Sequence, residues 1–161
     1  MSIDFELINQ SLTYSLQKLN KLEVTSSPHL FLLEDFLNPQ LVLKLNNFIK
    51  QNNLPWQKQE SKISYLPGRE KINWIPDTVI EEVHIVFSSL TEKINQILHK
   101  ESDFLGISIW RDTTGFSIPV HSDNPAISYA IQIYLVDGPK NLSTIFEYKN
   151  EQISPHFKTN S

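Results

Sequence analysis

A chain of 161 residues, 40% hydrophobic and 20% charged, suffices for one globular domain that buries about two-thirds of its surface. Its formal charge of −4 provides no general attraction to nucleic acid or acidic membranes, and the lack of cysteine excludes disulfides, thiolate metal sites and cysteine nucleophiles. The opening Met1-Ser-Ile-Asp-Phe-Glu6 is acidic where a signal peptide is basic and apolar, and no apolar run approaches the ~20 residues that span a bilayer. A cytoplasmic protein is expected, in which the sequons at Asn9 and Asn141 carry little weight.

Residues 8–22 place Ile8, Leu12, Leu16, Leu19 and Leu22 at helical spacing, which predicts an amphipathic helix or N-terminal arm within residues 1–28. Polar Thr25-Ser-Ser-Pro28 ends it. A single domain is expected over residues 29–161, with helical support in 29–100 and core strands in 104–157. It opens with His29-Leu-Phe-Leu-Leu-Glu-Asp35, an apolar run of strand length. Asn38-Pro39 then combines a capping side chain with proline at the first helical position, and Leu41, Leu45, Phe48 and Ile49 form one face of the helix that follows. Residues 54–75 predict two short strands around the turn signal Pro67-Gly68. Their connection is either a surface hairpin or a lid over a pocket. Pro76-Asp77 begins a longer helix to about His99, with Val79, Val83, Val86, Phe87, Leu90, Ile94, Ile97 and Leu98 inward. His84 and His99 fall on it singly, as poor candidates for metal ligands.

From residue 104 the helical period gives way to strands predicted over 104–111, 116–122, 127–136, 143–149 and 152–157. Helices first and strands afterwards predict an α+β protein, a β-sandwich or barrel backed by helices. Within this half, Trp110-Arg-Asp-Thr-Thr-Gly115-Phe-Ser-Ile-Pro-Val-His121-Ser-Asp123-Asn-Pro125 holds the one His-x-Asp pair of the chain. On an extended segment, residues i and i+2 share a face and sit roughly 7 Å apart, so both tips can reach one ion. An imidazole and a carboxylate are two corners of the 2-His-1-carboxylate triad that holds non-haem Fe(II) with open positions. The plainer alternative is a surface turn in which Asp123-Asn124-Pro125 ends a strand. On the following strand, Gln132 and Tyr134 share one face while Ile131, Ile133 and Leu135 share the other.

The Gly115 turn, the His121-x-Asp123-Asn124-Pro125 run and the Ile131-Gln-Ile-Tyr134-Leu135 strand together resemble the Fe(II)/2-oxoglutarate-dependent oxygenases, the prolyl-hydroxylase-like branch in particular. The resemblance covers about residues 104–157. In the N-terminal half it is one of style, since Leu33-Glu-Asp-Phe-Leu-Asn-Pro-Gln-Leu41 looks like the opening of many such enzymes. It implies N-terminal helices packed on a partial double-stranded β-helix, a jelly-roll relative. It implies Fe(II) held by His121 and Asp123, with 2-oxoglutarate as cosubstrate. Tyr134 would hydrogen-bond the far carboxylate of 2-oxoglutarate, or else be a core tyrosine with its hydroxyl at the rim. Gln132 would lie beside it and Trp110 would form a pocket wall. The implied activity is dioxygenation that hydroxylates a protein side chain or a small metabolite, with no nucleic acid or membrane as partner.

In that family a second His, on a strand well after the Asp, completes the triad, and a basic residue beyond it pairs with 2-oxoglutarate. Downstream of Asp123 stands His156, in Ile153-Ser-Pro-His156-Phe157, which looks like the family's Pro-x-Phe strand preceding the distal His. The expectation is a C-terminally incomplete β-helix: a fragment of a longer oxygenase, a chain completed by a second chain, or an iron-free jelly-roll binding module. A cupin-type metal enzyme without 2-oxoglutarate is a further alternative.

Overall fold

Asp4 accepts the Leu7 N–H at 2.9 Å and caps the first helix, α1 (Phe5–Asn20), with Glu6 in its first turn where the helix dipole favours an anion. The computed structural model to which this helix belongs describes residues 2–22, 31–58, 68–112, 125–137, 145–148, 151–154 and 158–160. α1 starts before the predicted 8–22 because the cap lies at Asp4, ahead of the apolar stripe. Its buried face also departs from the prediction. Leu7, Ile8, Ser11, Ser15 and Leu19 are buried, while Leu16 is exposed. Small serines at the contact let the α1 backbone approach its neighbour closely, and Ser15 Oγ donates to the Phe36 carbonyl at 2.9 Å, so a polar group is buried with a partner.

Residues 31–35, within the run expected to be a strand over 29–35, are irregular. Asp35 turns the chain at φ 52°, and Phe36 and Leu37 then enter the core. Asn38 caps α2 (Pro39–Ile49) through the Gln40 N–H at 2.8 Å, with Pro39 in the first turn, as its sequence predicts. Leu41, Val42, Leu45 and Phe48 are its buried face.

The third helix, α3 (Val79–Leu98), is capped by Thr78, which accepts the Ile80 N–H at 3.2 Å. Thr78-x-x-Glu81 has the pattern of a capping box, with Glu81 accepting the Asp77 N–H at 2.6 Å. The helix ends at His99, which takes the left-handed conformation at φ 50°. Val79, Ile80, Val83, Val86, Phe87, Leu90 and Ile94 form its buried stripe. All three helices contribute to one hydrophobic core, joined from the sheet by Ile72 and Ile109. No helix among the described residues is long and apolar enough to cross a membrane.

Three short strands, β1 (Gln57–Lys58), β2 (Arg69–Asn73) and β3 (Ser108–Asp112), form an antiparallel sheet in that order. β1 and β2 are the two strands predicted within 54–75, and β3 is the end of the strand predicted over 104–111. Ile72 pairs with Ile109 across the ladder and turns the same face to the helices. A separate hairpin, β4 (Phe146–Tyr148) against β5 (Glu151–Ile153), falls at the predicted 143–149 and 152–157 strands. The fold is therefore α+β. The strand predicted over 116–122 lies outside the described residues. The one predicted over 127–136 is corrected: its described residues form no ladder.

The helical layer contains one buried carboxylate. Glu82 of α3, 1% exposed, accepts Lys44 Nζ of α2 at 2.6 and 2.7 Å and the Asp4 N–H at 2.8 Å. Replacing Glu82 by Gln leaves Lys44 half-buried without its counter-charge, at an expected cost of about 3 kcal/mol. The cost should appear as a lower urea midpoint at unchanged slope. A loss below about 1 kcal/mol would mean that the pair behaves as a solvated one.

Candidate functional site

His121 and Asp123 fall in residues 113–124, outside the described residues, as does His156. The described part of the chain reaches them from β3. Arg69 pairs with Asp112 in the β2–β3 register, so the end of β3 that leads into residue 113 adjoins the end of β2 that emerges from residues 59–67. β1 ends at Lys58 opposite Glu70, at this same end of the sheet. The connection read as a possible lid and the segment that bears His121 and Asp123 thus depart from one end of one small sheet.

Side-chain pairs fix that end. Arg69 donates through Nε and Nη2 to the two carboxylate oxygens of Asp112 at 2.6 and 2.7 Å. On the opposite face Arg111 donates to Glu70 at 2.6 Å and lies 4.1 Å from the Trp56 ring centroid. Bidentate guanidinium–carboxylate pairs across neighbouring strands hold register as well as charge. Trp110, predicted as a pocket wall, sits on the sheet face turned away from Ile72 and Ile109 and is 44% exposed.

Gln132 and Tyr134 lie on the segment that forms no ladder. Gln132 is exposed and Tyr134 half-buried, while Tyr129, Ile133 and Leu135 pack against the helical core. Ile131 is exposed, so the alternation read from the sequence holds for 133 and 135 and fails at 131. The backbone of this segment is held by partners other than a neighbouring strand. Asn46 Nδ2 of α2 donates to the Leu135 carbonyl at 3.1 Å, and the Asn160 N–H donates to the Tyr134 carbonyl at 2.7 Å. Asp137 accepts both the N–H and the hydroxyl of Thr159 at 2.8 Å.

Asn160 is the centre of this arrangement. Its side-chain amide accepts the Leu37 N–H at 2.8 Å and donates to the Leu37 carbonyl at 2.7 Å, while its own carbonyl accepts the Phe36 N–H at 3.1 Å. The amide thus replaces the strand partner that residues 36–37 lack. Asn160 is buried at φ 64°, a conformation that Asn tolerates better than most side chains. Two residues earlier, the Lys158 ammonium hydrogen-bonds Glu34 at 2.7 Å and holds its carboxyl below the usual range, while its own pKa is raised.

Among the described residues, neither His84 nor His99 is joined by further ligands. His84 packs edge-on to Phe104 at 4.9 Å and against Trp74 at 6.2 Å, and His99 is an exposed helix cap. Among the described residues no group of three His, Asp or Glu could hold a metal ion.

Asn46, Asn95 and Asn160, which position the Tyr134 segment, were not singled out from the sequence. A faint signal is there for two of them, since Asn46 and Asn95 are half-buried within helices, where asparagine is a poor former. Asn160 gave no signal.

Asn160→Ala removes both amide bonds, leaves the Leu37 N–H and carbonyl unpaired, and strains the φ of residue 160. An expected loss of about 2–4 kcal/mol in urea unfolding follows. Asn160→Gly, which relieves the strain and still lacks the amide, should lose less than the Ala variant. The Tyr129 hydroxyl donates to Asn95 Oδ1 at 3.1 Å, and burial pushes its pKa above the ordinary 10.0. The folded value lies above the unfolded one, so this group's stabilisation is complete below the unfolded pKa and is lost as pH rises through the folded one. A difference titration of phenolate absorbance between the native chain and Tyr129→Phe should isolate a midpoint above 10.0.

Comparison with protein-family models, with curated proteins and with solved structures found no match to this chain.

Proposed function

We propose that the chain acts as a Fe(II)- and 2-oxoglutarate-dependent dioxygenase, built on a double-stranded β-helix backed by α1, α2 and α3. The observation that carries this reading is the run His121-Ser-Asp123-Asn-Pro125, preceded by the Gly115 turn and followed by Tyr134-Leu135. All three helices precede β3, β4 and β5, and this order is the one the reading requires. So is the delivery of the chain from a β-strand into residues 113–124.

The donor set fits the metal. An imidazole nitrogen and a carboxylate oxygen suit Fe(II) and leave coordination positions open, whereas thiolates would favour zinc or clusters. The third protein ligand would be a histidine beyond Asp123 or one supplied by a second chain. The iron, when bound, supplies the chemistry that couples O₂ to the oxidation of 2-oxoglutarate. In the net reaction one oxygen atom enters succinate as CO₂ leaves, and the other enters a substrate C–H bond as hydroxyl. His121 and Asp123 would hold the metal, and the Tyr134 phenol would donate to the far carboxylate of 2-oxoglutarate, with Gln132 beside it. Asn46 and Asn160 grip the carbonyls of Leu135 and Tyr134, which limits how far the phenol can stray. The substrate class is a protein side chain or a small metabolite.

The deciding experiment is an anaerobic titration of the chain with Fe(II) and 2-oxoglutarate, followed by the charge-transfer absorption of the chelate. The band is expected in the native chain, and His121→Ala should weaken 2-oxoglutarate-dependent iron binding by more than about 100-fold. Admitting O₂ should then release succinate. No band with the native chain would sink the proposal in favour of a silent jelly-roll module, and metal binding without succinate would favour a cupin-type site.

A further inference from the structure

The β1–β2–β3 sheet has two unlike faces. Ile72 and Ile109 point to the helices, while Arg69, Lys71, Asn73, Ser108, Trp110 and Asp112 alternate with them on the other side. The register places Gln57, Lys71 and Trp110 in one row across all three strands. On this outer face Ser108, Trp110 and Asp112 are all exposed. Lys71 Nζ lies 5.7 Å, and the Arg69 guanidinium 5.1 Å, from the centroid of the Trp110 ring.

These two cations are not equivalent. Arg69 is chelated by Asp112, whereas Lys71 has no carboxylate partner among the described residues. A chain of formal charge −4 therefore gathers two positive groups on one exposed indole, and balances one of them. Each cation lies within cation–π reach of the ring, and the exposed ring leaves apolar area in water. A carboxylate brought to Lys71 supplies the counter-charge it lacks among the described residues, and a chain laid across the ring covers the apolar area. We propose that this outer face docks an acidic, extended peptide segment of a partner protein, with Lys71 pairing with its carboxylates and Trp110 packing on its backbone.

An extended peptide suits the site better than two other anions. A small molecule needs a concave pocket, and the described residues of this face form an open row across three strands. Single-stranded nucleic acid needs successive aromatic platforms, but the described residues of this face supply one ring, and Trp56 stacks with Arg111 of the opposite face. Docking here requires neither iron nor 2-oxoglutarate, so its test is separate from that of the oxygenase reading, in which Trp110 would wall a pocket instead.

The test is fluorescence anisotropy of the metal-free full chain with a labelled peptide of alternating Glu and Gly, at low salt. The expected result is binding that weakens as salt is raised and falls about tenfold in Lys71→Glu. The melting midpoint of that variant should fall little, because Lys71 makes no ion pair among the described residues and its contact with the Trp110 ring is solvent-exposed. Lys50→Glu, which alters net charge equally at an exposed position after α2, should bind like the native chain. Equal binding of a Gln–Gly peptide would overturn the proposal. Equal weakening by Lys50→Glu, no binding by the native chain, or tighter binding of oligothymidylate would overturn it as well.

Discussion

Glu82 is a charge that the helical layer can bury only with Lys44 and the Asp4 N–H, and these partners come from two other parts of the chain. The apolar side chains around it would pack in many ways, because hydrophobic attraction has no direction. A desolvated carboxylate has direction. It holds α2 against α3 at one height, and it brings the first residues of α1 to the same point, where Asp4 is also the helix cap. With three helices so arranged, the core opens towards Ile72 and Ile109, and the small sheet has a surface to lie on. The desolvation cost is offset by three hydrogen bonds, and what is gained is registry more than stability.

Much of this layer was legible. α2 is spelled out by Asn38-Pro39 and its apolar face, and α3 by its stripe from Val79 to Ile94. Glu82 was not legible, because Glu81-Glu82 at the start of a helix reads as a solvated pair favourable to the helix dipole. One of the two takes that role at Asp77 while the other turns inward. The rotation of α1 is a similar case. Hydrophobic period placed Leu16 in the core, yet Ser11 and Ser15 are there, since closeness of backbones and one hydrogen bond to Phe36 outweigh a leucine's burial.

The strand half was legible in part. The register of β1, β2 and β3 follows from alternation about Ile72 and Ile109, whereas residues 127–136 carry a similar alternation and form no ladder. Apolar period reports which side chains are buried, but not what satisfies the backbone. Here asparagine amides and the backbone of Asn160 serve that purpose, and such long-range partners leave no mark in local sequence. His121 and Asp123 were legible as a motif and as candidate chemistry, and their placement is fixed by the described chain only as far as the sheet end at Arg69 and Asp112.

The bonds between Asn160 and Leu37 span 123 positions of sequence. At ~5–20 residues per second of synthesis, residue 160 follows residue 37 by about 6–25 s. Throughout that interval the Leu37 N–H and carbonyl lack their final partner, although α2 beside them can coil within it. The chain must therefore hold an open seam before its second helix until residue 160 has been made. Such a seam is a natural place for a chaperone to grip, and it makes closure a non-local event in folding.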